Sequence, residues 1–321
     1  MATADLKFES TPELPFVEGA WFENSAKIKL FVGRVPPAAG VKPHCTVVFV
    51  HGIDDHGPRW KHVCEGLAAN PHLQADCYMP EWQGHGRSQG FRNTPGLIAS
   101  IDSVLEDLER VIQFAARAHP GVPLFLFGHS AGGLFSVLML TKRQRISALV
   151  SGVVLSAPAL KPHAKDDTWV NFKVVLPLSV RLLNVWPTMP SPVPLGTELT
   201  HDEEFMAKDD DDDLTGNGVR TGTVVGIAYS MKALDEDKLF EKFTHPFLML
   251  CAAEDKLVSP QGFKLFEERA QTAASDKKVI WFEKAWHEVL REVPQVRTKA
   301  QNAVEEWMKD RIAQHRPHSR M

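Results

Sequence analysis

No stretch of the chain is long and apolar enough to cross a bilayer. Met1 to Phe16 carries Asp5, Glu9 and Glu13 where a signal peptide would have its apolar core. Cysteine is sparse: Cys45, Cys64, Cys77 and Cys251 are scattered, with no C-x-x-C pair, which argues against a disulfide framework or a redox motif. Buried, reduced thiols in a cytoplasmic protein are the expectation. Basic excess is also lacking. A net charge of -4 gives no reason to expect nucleic acid or an anionic membrane as the main partner. What remains is ordinary for a globular protein, with 44% apolar and 24% charged residues. A length of 321 residues suits one α/β domain with an insertion, or two small domains.

One stretch organises the rest. Leu124-Phe125-Leu126-Phe127 is an apolar run of buried-strand type, Gly128-His129-Ser130-Ala131-Gly132 follows at once, and Leu134, Val137, Leu138 and Leu140 then space as a helix. A strand turning sharply into a helix pushes one side chain out at the top of a parallel sheet. Here that side chain is Ser130, in a Gly-x-Ser-x-Gly nucleophile elbow.

Around it, strands and helices alternate. Strands are expected at 28–34, 46–50, 76–79, 149–156, 246–251 and 279–282. Helices are expected at 60–69, 97–118, 260–273 and from about Val293. Such alternation predicts an α/β fold with a mostly parallel, doubly wound sheet. The rhythm fails from about Ala159 to Phe243, where prolines, glycines and the acidic run Asp209 to Asp213 interrupt helical fragments at 174–185 and 223–234. We therefore expect a sheet core from 1–158 and 244–321, with 159–243 inserted as a cap. The acidic run reads as a solvated loop. Its five consecutive acids lack the spacing of a calcium loop, so neither metal nor cofactor is expected.

A serine hydroxyl needs a base, and the base needs an orienting carboxylate. In the α/β-hydrolase arrangement they follow in the order Ser, Asp/Glu, His, on loops after strands. Asp255 lies just after the strand at 246–251, with Glu254 beside it as the competing acid, and His287 lies beyond the last strand. His51 and His129 fall outside the base's chain position and are expected to be structural. Oxyanion donors are expected from the backbone N–H of Ala131, after the nucleophile, and of Ile53, after His51-Gly52 at the end of an early strand.

Taken in order, His51-Gly52-Ile53-Asp54-Asp55-His56-Gly57-Pro58-Arg59-Trp60, Gly84-His85-Gly86-Arg87-Ser88, the Ser130 elbow, Ser156-Ala157-Pro158, Ala253 to Val258 and His287-Glu288 resemble the monoacylglycerol lipases. These belong to the serine aminopeptidase/lysophospholipase-like α/β-hydrolases, and the resemblance runs from about residue 17 to 310. It implies that Ser130, Asp255 and His287 form the triad and that Ile53 and Ala131 supply the oxyanion hole. The family's first loop reads His-Gly-x-Gly-Glu-His-Ser-Gly-Arg-Tyr, and its Glu and Arg help hold the glycerol end of the substrate. Asp55 replaces that Glu and Arg59 is retained, so both are candidate substrate-binding residues, with a purely structural ion pair as the alternative. Leu290 stands where mammalian members have a histidine. The cap is the family's acyl-chain site. The apolar stretch 174–186, with Leu182 and Leu183, suits either a tunnel wall or a helix packed on the core.

The expected function is therefore a serine hydrolase cleaving fatty-acyl esters of small alcohols, monoacylglycerol first, through an acyl-enzyme on Ser130. Alternatives within enzymes are a general carboxylesterase and an aminopeptidase-like amidase. A non-catalytic ligand receptor on the same fold is the alternative from another class. The expected partner is a small lipid-like ester, with peripheral membrane contact through the cap and no nucleic acid. Oligomeric state is left open.

Overall fold

Thr46–Val50 (β4), Asp76–Pro80 (β5), Leu124–His129 (β6), Gly152–Ser156 (β7) and Phe247–Ala252 (β8) are buried at every position, as strands covered on both faces must be. The computed structural model describes residues 6–11, 17–162, 187–191, 198–215 and 218–315. Among these, nine strands form one sheet, in which Glu9–Ser10 (β1), Glu18–Glu23 (β2), Lys29–Val35 (β3) and Lys277–Phe282 (β9) complete the order β1-β2-β3-β5-β4-β6-β7-β8-β9. From β5 to β9 every pairing is parallel; β1, β2 and β3 add antiparallel strands at one edge. The expected mostly parallel α/β-hydrolase sheet is present. β1 and β2 were not expected, because β2 has one exposed face and few β-branched residues.

The strand period of two divides the core. Val48, Val50 and Leu126 face one side, packed with Val104, Leu108, Leu134 and Leu138. These come from the helices Ile101–Ala118 (α2) and Ala131–Lys142 (α3). Val47, Phe49, Phe125 and Phe127 face the other side, against Val63 and Leu67 of Lys61–Ala69 (α1) and against Val304, Trp307 and Met308 of the C-terminal helix. In α2 the buried Val104, Leu105, Leu108, Val111, Ile112 and Ala115 trace one helical face, and Ser100 caps its start by accepting from Ser103 N at 3.1 Å. It begins at Ile101, four residues after the apolar pattern does.

After α3 comes the single turn Gln144–Ser147 (α4). Beyond β7 the chain leaves the sheet for 159–243, whose described part includes Glu203–Asp210 (α5) and Thr221–Glu236 (α6). Asp202 caps α5 by accepting from Glu204 N and Phe205 N. Pro260–Arg269 (α7) and Pro294–His315 (α8) complete the core. Among the described residues no helix is long and apolar enough to cross a membrane. Leu182, Leu183 and the rest of 174–186 lie outside the described residues.

Candidate active site

The candidate residues lie on four loops at the carboxyl ends of the parallel strands β4, β6, β8 and β9. The elbow holds Ser130 at φ 51° and ψ -119°, a backbone conformation costing about 1–3 kcal/mol that the surrounding packing must enforce. Its amide donates to Ser156 O at 3.0 Å, pinning it to the end of β7. Gly132 permits the turn, because a Cβ there would lie 2.0 Å from Val50 O.

The loop after β4 comes just as close. A Cβ on Gly52 would lie 3.3 Å from Ser130 Cβ, so Ile53 and the elbow are brought together by the absence of a side chain. Ala131 begins α3 directly after Ser130. Neither the Ile53 nor the Ala131 N–H has a hydrogen-bond partner among the described residues. Two adjacent open donors beside a buried hydroxyl suit an oxygen that gains negative charge.

Asp255 and His287 meet next to the elbow, where the His287 ring centroid lies 4.9 Å from that of His129. His287 Nδ1 donates to Asp255 Oδ2 at 2.7 Å, and both residues are buried. The other carboxylate oxygen accepts from Leu257 N and Val258 N, both at 2.9 Å, which fixes its direction. Glu254 N donates to Ala285 O at 3.2 Å, linking the acid's loop to the base's. This arrangement makes Nδ1 the protonated nitrogen and leaves Nε2 as an acceptor, buried and without a hydrogen-bond partner. Burial lowers the proton affinity of His287, but Asp255 outweighs it, and the pKa ends above the ordinary 6.5.

The neighbouring histidines behave differently. His129 packs on Trp60 and His287 with ring centroids 4.5 and 4.9 Å away, and burial drives its pKa well down. His51 bonds the Gly52 carbonyl through Nδ1 at 2.8 Å and stacks on Trp82; burial lowers its pKa to about 3. Both are neutral packing groups at neutral pH.

Asp55 and Arg59 sit in the same loop but are spent internally. Asp55 Oδ1 accepts from His56 N at 2.7 Å and Arg59 Nη1 at 3.1 Å. Its Oδ2 accepts from Trp60 Nε1 at 2.6 Å and Gly52 N at 3.1 Å. Arg59 Nε and Nη2 bond Asp209, and Nη1 and Nη2 reach the Glu288 carboxylate at 2.9 and 3.3 Å. All five guanidinium hydrogens have acceptors, so neither side chain has a hydrogen-bonding group left for a substrate. Burial raises the Asp55 pKa, but Arg59 more than offsets this and holds the carboxyl well below its usual range.

The acidic run is only in part a solvated loop, which corrects the expectation from sequence: Asp211 and Asp213 are exposed, but Asp209 and Asp212 are engaged. Asp209 is bonded by Arg59 and Arg291, and Asp212 Oδ2 lies 2.7 Å from His56 Nε2. Burial raises the pKa of each, and these partners outweigh it. Asp209 is cancelled by arginines distant in sequence, where a one-dimensional pattern shows only like charge. Glu288 and Arg291 were also missed as a pair. Their i, i+3 spacing just after the base was the available signal, and Arg291 Nη1 bonds Glu288 at 2.8 Å.

The family model for serine aminopeptidase, S33, matches residues 41–294. The chain is 27% identical to the monoglyceride lipase of Mus musculus over 274 residues, covering 84% of each. It is 27% identical to the monoacylglycerol lipase of Mycolicibacterium smegmatis over 259 residues, covering 79% of this chain and 84% of that one. Among solved structures it resembles the Paleococcus ferrophilus monoacylglycerol lipase, with a TM-score of 0.72, 24% identity and coverage of 88% and 99%. A soluble variant of the Saccharomyces cerevisiae monoglyceride lipase, solved with a substrate analog, gives a TM-score of 0.78 at 18% identity, covering 97% and 96%. At those identities the two structures speak for the fold.

Proposed function

The chain belongs to the serine aminopeptidase, S33, family of hydrolases, and from that premise we propose that it cleaves fatty-acyl esters of small alcohols, monoacylglycerol first. The observation that carries the reading is the His287–Asp255 pair beside the strained Ser130 elbow, with Nε2 of the histidine left open.

In this reading Ser130 Oγ attacks the ester carbonyl while His287 Nε2 takes its proton. Asp255 holds the imidazole and stabilises the imidazolium. The carbonyl oxygen becomes an oxyanion facing the Ile53 and Ala131 N–H groups. Collapse of the tetrahedral intermediate breaks the ester C–O bond, and His287 returns the proton to the leaving alcohol. Water, activated by the same nitrogen, then cleaves the acyl-enzyme and restores Ser130.

Relatives named as monoglyceride lipases support a glycerol ester. A second reading, a carboxylesterase indifferent to the alcohol, is favoured by one observation: Asp55 and Arg59 are saturated by protein partners. We assign those two to holding the loop. Acyl binding is assigned to the cap, with Leu182 and Leu183 as its sequence-based candidates, and the same apolar stretch is proposed to meet a membrane surface. Hydrolysis of monoacylglycerols, lysophospholipids and p-nitrophenyl esters of increasing chain length tests this. Each methylene received by an apolar site adds about 0.8 kcal/mol. Specificity that rises with chain length and favours monoacylglycerol supports the first reading. Equal rates for glycerol and nitrophenyl esters of one acid support the second. Co-sedimentation with phospholipid vesicles tests the membrane contact.

A further inference from the structure

One carboxylate of the cap binds both arginines that the candidate catalytic loops share. Asp209, near the end of α5, accepts from Arg59 Nε at 2.8 Å and from Arg291 Nη2 at 2.6 Å through Oδ1. Its Oδ2 accepts from Arg291 Nη1 at 2.9 Å and from Arg59 Nη2. Two paths lead away from it. Through Arg59 it reaches Asp55, whose other oxygen holds Gly52 N, one residue before the proposed oxyanion donor Ile53. Through Arg291 it reaches Glu288, the residue after His287. Glu288 and Arg291 are each 2% exposed.

The backbone fastens the same joint. Glu288 N donates to Leu199 O at 2.9 Å, and Thr200 Oγ1 donates to Arg291 O at 2.8 Å. Phe205 of α5 lies beneath the Arg291 guanidinium, 4.6 Å from its ring centroid. Neither path uses the region where an acyl chain is expected. A cap that served only chain recognition would have no need to meet the base loop and the oxyanion loop with a single buried ion cluster.

We propose that Asp209, Arg291 and Glu288 are positioning residues, through which the attached cap holds His287 and the Ile53 loop in register for catalysis on any ester, long or short. The proposal rests on the serine esterase reading above. Arginine is required because one planar fork must bridge two carboxylates, which an ammonium cannot do in the same geometry.

Asp209→Asn and Arg291→Lys are to be compared with the unaltered protein on p-nitrophenyl acetate and on a long-chain p-nitrophenyl ester, with fluorophosphonate labelling and thermal melts. We expect kcat to fall roughly tenfold to a hundredfold on both esters, the range for reacting groups displaced by about an ångström, with KM little changed. Labelling should slow in parallel, and Asp209→Glu should restore part of kcat. Three outcomes overturn the proposal: a rise in KM confined to the long ester, unchanged kcat, or a lowered melting temperature with full kcat per folded molecule. If Asp209→Asn does not fold, Arg291→Lys alone decides by the same criteria, since it keeps the charge. An unaltered protein that neither labels nor hydrolyses any ester would instead defeat the esterase reading itself.

Discussion

Replacing Asp55 by asparagine changes one oxygen into an amide and removes one charge. The carboxylate accepts four hydrogen bonds, two on each oxygen: His56 N and Arg59 Nη1 on one, Gly52 N and Trp60 Nε1 on the other. Whichever way the asparagine turns, its NH2 faces two donors that then lack an acceptor. Each buried donor left unsatisfied costs about 1–3 kcal/mol, so the pair should cost about 2–6 kcal/mol of stability. That corresponds to a melting temperature lower by roughly 3–9 °C in a domain of this size. Gly52 N belongs to one of the two donor sets, so with the NH2 turned to that side the Ile53 loop should also loosen and kcat should fall for all esters. Thermal and urea unfolding of Asp55→Asn, with kcat and KM on a monoacylglycerol and on the p-nitrophenyl ester of the same acid, measures both effects. The sign of the pH dependence follows from the depressed pKa. The carboxylate's contribution is full above its ordinary value of 3.8 and is lost as pH falls through the lower folded value, so the variant should be weaker across neutral pH. An unchanged melting temperature with a loss confined to the monoacylglycerol would refute this reasoning and return Asp55 to the substrate.

Ser130→Ala should abolish ester hydrolysis and fluorophosphonate labelling while leaving the melting temperature near its original value. Asp255→Ala and His287→Ala should cost activity comparably and a double variant little more, because triad members act as a unit; near-normal turnover by Asp255→Ala would instead point to Glu254. For the unaltered enzyme kcat/KM should rise with pH through a midpoint above 6.5, since only neutral His287 accepts the proton and Asp255 raises its affinity; a midpoint below 6.5 would contradict that. Burial raises the Glu81 pKa to about 7, so the folded state holds a proton there that the unfolded chain releases near 4.5, and stability declines across that window as pH rises; Glu81→Gln should flatten the decline in a melting series from pH 4.5 to 7.5.

The sheet and the three candidate triad residues were legible because both are written locally. Leu124 to Phe127 alternates between two apolar faces, and each proposed catalytic side chain falls a few residues after such a strand. β2 was less legible. Its Trp21 is 43% exposed and its pattern belongs to a strand with one solvent face, which short-range apolar content does not reveal. The acidic run was misread for a related reason. Asp209 meets Arg59 and Arg291 across 150 and 82 residues, and no window of neighbouring residues contains the cations that neutralise it. Arg59 was noticed, but its saturation was not, because a residue type states what can bond and only the fold states what is already bonded.

The same cluster has a consequence for the base. Asp55, Glu288 and Asp209 carry three negative charges against the two positive charges of Arg59 and Arg291. The two arginines alone would oppose a proton on the neighbouring imidazole, as they do at His129, where burial and the charge on His287 act in the same direction. At His287 burial lowers proton affinity, while Asp255, Glu288 and Asp55 together raise it. Asp209, from the segment between β7 and β8, pairs with both arginines and so offsets their positive charge. In the proposed mechanism the imidazolium forms as Ser130 attacks, so a net negative surround stabilises the charge that develops at that moment. On that proposal the segment assigned as the cap would enter the electrostatics of the reaction through one carboxylate, and its attachment would be part of what makes the serine reactive.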